Sequence, residues 1–239
     1  MRLPSISGKI RRRILVNFRV QPEIAQRLLP PPFRPKLHDG HAVAGICLIR
    51  LEEIRPWHLP AALGMSSENA AHRIAVCWTG PDGAELEGVY IPRRDTSSLF
   101  NHVVGGRLFP GHHHRARFEV RDDDEGINFA MRAADGGVAV ELQARETDRL
   151  PPTSRFRSLG DASAFFRTGS LGYSPRARGP QLDGLSLVTR TWSVAALAVQ
   201  HVHSSFFSDR AQFPDGSVEL DCALLMRNLE HEWHTAADL

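Results

Sequence analysis

The sequence predicts a mainly β (α+β) fold: one mainly antiparallel barrel or sandwich with a few short helices. Three observations lead there. Period-two alternation recurs in short runs, tight-turn signals separate those runs, and helical segments are brief. Sixteen prolines and nineteen glycines are spread over the 239 residues, which keeps elements short. Hydrophobic residues make up 42% of the chain, enough to form a core and unlike a disordered composition. No repeat or composition shift marks a boundary, so residues 1–239 read as a single domain.

The elements follow in order. Residues 10–20, IRRRILVNFRV, put Ile10, Ile14, Val16, Phe18 and Val20 on one face of a strand, and Arg11, Arg13, Leu15, Asn17 and Arg19 on the other. Pro22 suits the first position of a short helix, PEIAQRLL, which stops at Pro30-Pro31-Pro32. Asp39-Gly40 is a turn signal. Residues 41–54 form a strand that is apolar on both faces near its middle, hence central and buried. Residues 56–71, with Trp57 and Met65, read as a long loop that folds over something. Strands are expected at 73–78 and 86–91, split by Gly80-Pro81-Asp82-Gly83. Asp95 is expected to cap a helix reaching Val104. Strands return at 115–121, 127–132 and 138–145, joined by tight turns. Asp161 is expected to cap the short helix ASAFFRT. Strands at 185–192, 196–203 and 218–226 complete the pattern.

Composition excludes several classes. A formal charge of +2 is too small to argue for nucleic acid, and the arginines are scattered. The one run, Arg11-Arg12-Arg13, reads as a strand start. Cys47, Cys77 and Cys222 form no CxxC and are odd in number, so neither a zinc knuckle nor a disulfide framework is supported. The N-terminus lacks an apolar signal region, and no run approaches the ~20 apolar residues of a membrane span. The expectation is a soluble cytoplasmic protein without nucleic-acid or membrane partners.

The segment from Gly88 to Arg115, GVYIPRRDTSSLFNHVVGGRLFPGHHHR, carries the functional signal. With Pro-Glu-Ile and Leu-Leu-Pro-Pro-Pro near the start and FPDGSVELDCALLMR from Phe213 to Arg227, it resembles the acetoacetate decarboxylase-like superfamily. The nearer likeness is to the branch called domain of unknown function 2071. The resemblance covers nearly the whole chain. It implies a cone-like β-barrel with a shielded cavity and a homo-oligomeric assembly. In the decarboxylases a lysine forms a Schiff base with a β-keto acid, and a second lysine lowers its pKa. Those positions fall here on His113 and His114. The chain has only two lysines, Lys9 and Lys36, both far upstream. Imidazole forms no stable protonated imine, and arginine, with a pKa above ~12, does not replace lysine. The resemblance also places the family's cavity glutamate on Glu68 and its early arginine on Arg11, and it adds Tyr90 and Arg107 as substrate-binding residues. An arginine and a carboxylate in a shielded cavity can bind a substrate carboxylate and move a proton; the alternative is a structural salt bridge at the barrel mouth.

Twelve histidines are unusually many. In a strand, His112 and His114 share one face and His113 takes the other; His201 and His203 form an HxH pair. Such pairs can supply metal ligands, though no carboxylate stands beside them at ligand spacing. His58 and His72 flank Glu68 and are candidate general bases. His231 and His234 read as solvated tail residues. Cys47 reads as core, and Ser66, Ser67 and Ser204 lack a GxSxG elbow.

The leading reading is therefore a small-molecule enzyme acting on a carbonyl or carboxylate compound without imine chemistry, of lyase, hydratase or isomerase type, needing no cofactor and no metal. Glu68, His113 and His114 are its catalytic candidates, and Arg11, Tyr90 and Arg107 bind substrate. A non-catalytic binding barrel and a histidine metalloenzyme are the alternatives.

Overall fold

In the computed structural model, which describes residues 6–56, 60, 64–99, 111–176, 179 and 181–239, one long strand organises the rest. Strand β1 (Ile6–Val20) lies between β4 (His41–Pro56) and β13 (Val218–Thr235), antiparallel to both. Helix α1 (Pro22–Arg27) follows, with proline at its start, then the short β2 (Arg34–Pro35) and β3 (Leu37–His38). The sheet continues through β5 (Met65–Thr79), β6 (Glu85–Thr96), β7 (His113–Asp123), β8 (Gly126–Ala133) and β9 (Ala139–Thr147). Helix α2 (Leu159–Arg167) precedes β10 (Leu171–Pro175), β11 (Leu182–Thr189) and β12 (Ala195–Ser204).

The pairings close a nine-stranded barrel in the order β6-β7-β8-β9-β12-β13-β1-β4-β5 and back to β6. Strands β10 and β11 bridge β6 to β13, which closes a second circuit of seven strands sharing β13, β1, β4, β5 and β6. The sheet is mainly antiparallel; the β6–β7 and β6–β10 pairings are parallel.

Sharing explains the burial pattern. Strands that belong to both circuits need two apolar faces. In β4, Ala42, Ala44, Ile46 and Leu48 join the core of the nine-stranded barrel, while Val43, Cys47 and Leu51 join a second core packed by α2. Strands β8 and β9 belong to the larger barrel alone and alternate buried with exposed residues. The barrel is filled by side chains, with Phe18 stacked on Phe207 at 4.5 Å between centroids.

Several expected elements shift. Residues 65–71 are strand, not loop, because Ser67, Glu68 and Asn69 pair with Leu51, Arg50 and Ile49 of β4. Asp95 is no helix cap. It lies in β6 opposite Ala70, and its carboxylate takes hydrogen bonds from Arg93 instead of from backbone N–H groups. The Thr96 hydroxyl accepts from Ser98 N, and residues 100–110 lie outside the described residues. The cap of α2 is Ser158, whose hydroxyl accepts from Asp161 N while Asp161 accepts from Arg157 N. Strand β13 runs to Thr235, so His231 is buried rather than solvated. Asn228 has φ 55°, and β13 pairs with β1 on both sides of it before His231–Thr235 also pair with β11.

The closure by β10 depends on Gly88. A Cβ there would lie 2.4 Å from the Leu171 carbonyl oxygen and 3.3 Å from the Trp78 ring. Gly88→Ala is expected to cost about 2 kcal/mol through this overpacking. Amide exchange should accelerate at Gly172 and Tyr173, which pair with β6; unchanged protection there would contradict the closure argument.

Candidate functional site

Among the described residues, the expected site residues do not converge; the two circuits separate them. Glu68 faces into the nine-stranded barrel, where Arg12 Nη2 donates to its Oε2 at 2.8 Å. Arg12 also lies 3.6 Å from Asp122, which takes two 2.8 Å bonds from Arg227. This is an ion-pair lattice across β1, β5, β7 and β13. Burial raises the Glu68 carboxyl above its ordinary range, against the pull of Arg12. Arg11 is exposed and donates to the Asn228 side chain. The guanidinium on Glu68 is thus Arg12's, because a register shift between Ile10 and Arg12 turns Arg11 outward.

Tyr90 packs in an aromatic cluster, 6.0 Å from Phe33, and burial pushes its hydroxyl upward. Arg107 and His58 lie outside the described residues. His72 is buried in the larger barrel, 3.3 Å from the Ser204 hydroxyl and against Phe206. Burial, with nearby Arg93, drives it down to about 3, which leaves it neutral. His201 is exposed and 3.8 Å from Glu141. Among the described residues no three His, Cys, Asp or Glu side chains form a metal-holding group.

The histidine run does alternate. His114 Nδ1 lies 2.8 Å from Asp135, and its ring stands at right angles to that of His112 at 4.4 Å. His113 points the other way and lines a cavity of about 80 Å³. The walls are apolar side chains of β4 (Ile49, Leu51, Ile54) with Leu185 and Trp233; the polar groups are Cys47, Asn69, Arg94, Asp95 and His113. These residues come mainly from the seven-stranded circuit. Neither lysine lines this cavity.

Arg94 is the polar centre. Its Nε donates to Ser174 Oγ at 2.9 Å, and it also lines a wider cleft of about 290 Å³ shared with His112, His114 and Arg176. It therefore stands between cleft and cavity. Burial pushes it down to about 10, so it stays a cation. Asp95 is 1% exposed and burial raises its carboxyl, although Arg93 bonds both its oxygens. Arg93 continues to Asp135 and so to His114, linking cavity wall and cleft through one hydrogen-bond chain. Sequence reasoning missed Arg94, Asp95 and Cys47 as site residues. The available signal was the Pro-Arg-Arg-Asp that follows Gly-Val-Tyr-Ile, two arginines and an aspartate where β6 meets β7.

The double-circuit barrel is similar in fold to acetoacetate decarboxylase-like proteins. An acetoacetate decarboxylase-like enzyme from Sphingomonas wittichii RW1 superposes with a TM-score of 0.62 at 15% identity, covering 99% of this chain and 92% of that one. An acetoacetate decarboxylase from Legionella pneumophila gives 0.61 at 12% identity, covering 98% and 87%. The enduracididine biosynthesis enzyme MppR, complexed with pyruvate, gives 0.61 at 13%, covering 100% and 90%. No curated protein matches the sequence significantly. Residues 8–221 match the DUF2071 family, described as an uncharacterized conserved protein, and the chain belongs to that family. No helix among the described residues is long and apolar enough to cross a membrane.

Proposed function

We propose that the protein is a small-molecule enzyme that takes a short carbonyl-containing carboxylic acid into the 80 Å³ cavity and works without a lysine imine. The observation that carries this reading is Arg94, a guanidinium at the throat of a mainly apolar-walled cavity whose other polar groups are Asp95, His113, Cys47 and Asn69. The ligand carboxylate pairs with Arg94. Its apolar body contacts Ile49, Leu51 and Trp233. His113 faces the reacting carbon, and Asp95, its carboxyl raised by burial, exchanges the proton. In this reading Asp95 takes the role that the resemblance assigned to Glu68. Lys36 supports no imine here, because its ammonium is ion-paired with Glu87 at 2.6 Å.

A panel of short 2-oxo and 3-oxo acids tests the reading by calorimetry, by turnover and by borohydride trapping. Binding is expected without a trapped adduct. Arg94→Met should weaken binding about 10- to 100-fold, the loss of one charge-assisted contact. An adduct on Lys36, or equal affinity in Arg94→Met, would overturn it. Binding without turnover would leave a carrier instead.

A further inference from the structure

We propose that a second cavity of the seven-stranded circuit binds a small monovalent inorganic anion of chloride's size. This cavity, about 30 Å³, is lined by Arg13, Lys36, Arg73 and Glu87 among others. Lys36 and Glu87 neutralise one another, and Lys36 also donates to the Thr168 hydroxyl at 2.8 Å. Two guanidiniums remain. Arg73 is 5% exposed, donates from Nη2 to the Asn17 side-chain oxygen, and lies 5.0 Å over the Phe166 ring. Its buried Nε has no hydrogen-bond acceptor among the described residues. Arg13 donates Nε to Cys47 Sγ at 3.3 Å. Among the described residues the side-chain acceptors of Arg13 and Arg73 are thus a thiol and an amide oxygen, with no carboxylate.

Enclosed charge without a counter-charge is unfavourable, because desolvation is not repaid by attraction. Burial already pushes Arg73 down to about 10, which still leaves it cationic at neutral pH. An anion in the cavity supplies the missing charge and an acceptor for Nε. Size selects its class. About 10–15 Å³ of such space holds one water, so about 30 Å³ suits a chloride-sized ion and excludes an acid with an organic body. Leu15, Ala75, Val89 and Phe165 complete the wall, and such apolar surroundings favour weakly hydrated anions over fluoride or sulfate. The site is separate from the acid cavity: the Arg13–Cys47 contact lies between them.

The test follows thermal unfolding at constant ionic strength as chloride replaces gluconate. The melting temperature of the wild-type chain should rise by about 3 °C, and bromide should substitute. Arg73→Met should lose the rise and be no less stable than wild type in gluconate. Arg94→Met should keep it, which separates this site from the acid cavity. A bromide soak of wild-type crystals should place an anomalous peak between Arg13 and Arg73. Identical melting in chloride and gluconate, a full response in Arg73→Met, or no bromide peak overturns the proposal. The soak decides the matter should Arg73→Met fail to fold.

Discussion

Replacing Arg12 with methionine is expected to lower the unfolding free energy by about 3 kcal/mol. Arg12 and Glu68 are nearly enclosed, with side chains 5% and 14% exposed and a 2.8 Å contact. Methionine keeps much of the aliphatic stem but leaves Glu68 in a site where burial already raises its carboxyl. Asp122 loses less, since Arg227 holds both its oxygens. The penalty should depend on pH in a definite direction. A carboxyl raised in the folded state binds more protons folded than unfolded, so the variant regains stability as pH falls toward 5 and loses it as pH rises. The double variant Arg12→Met/Glu68→Met should recover most of the loss, because a buried ion pair contributes little beyond an apolar pair of similar volume. Urea melts of the two variants check this. A single variant within about 0.5 kcal/mol of wild type would mean that the lattice is solvated and energetically idle.

Acid is expected to destabilise the protein through His72 and His231 by roughly 5 kcal/mol between pH 7 and pH 4.5. Burial drives His72 down to about 3 and His231 down to about 4, both below the ordinary 6.5 of the unfolded chain. Each binds fewer protons folded than unfolded in that window. Their contribution is therefore whole above about 6.5 and is lost progressively as pH falls toward the folded values. Glu68 and Asp95 are raised and act in the opposite direction, so the total slope alone is ambiguous. A difference measurement isolates His72. His72→Gln cannot titrate, and its stability should fall about 2–3 kcal/mol less than wild type over the same interval. Parallel pH curves for wild type and His72→Gln would show that burial does not shift His72 from its ordinary value.

The fold class was legible because period and turn chemistry are local. Residues 41–54 showed two apolar faces, and β4 has two because two circuits share it. The strand at 65–71 was illegible because its polar residues are satisfied at long range: Glu68 by Arg12, and Glu68 N by the Ser97 hydroxyl. Asp95 misled for the same reason. An aspartate before Thr-Ser-Ser reads as a cap until Arg93 and Asp135 are seen to occupy that neighbourhood. The separation of His112 and His114 from His113 was legible, since it needs only the two-residue pleat.

By itself, then, the sequence determined the barrel class, the family likeness, the alternation of the histidines and the scarcity of lysine. Each is written in residue identity or in a period of two. Only the tertiary structure decided which side of each shared strand holds the cavity. A bulged register near Ile10 turned Arg11 outward and Arg12 inward, and Glu68 and His113 went to different circuits. The cavity formed instead around Arg94, because β10 and β11 close a second ring that no local pattern announces. The physical reason is that a side chain's face is set by the pairing of strands far apart in sequence, and one bulge reverses it.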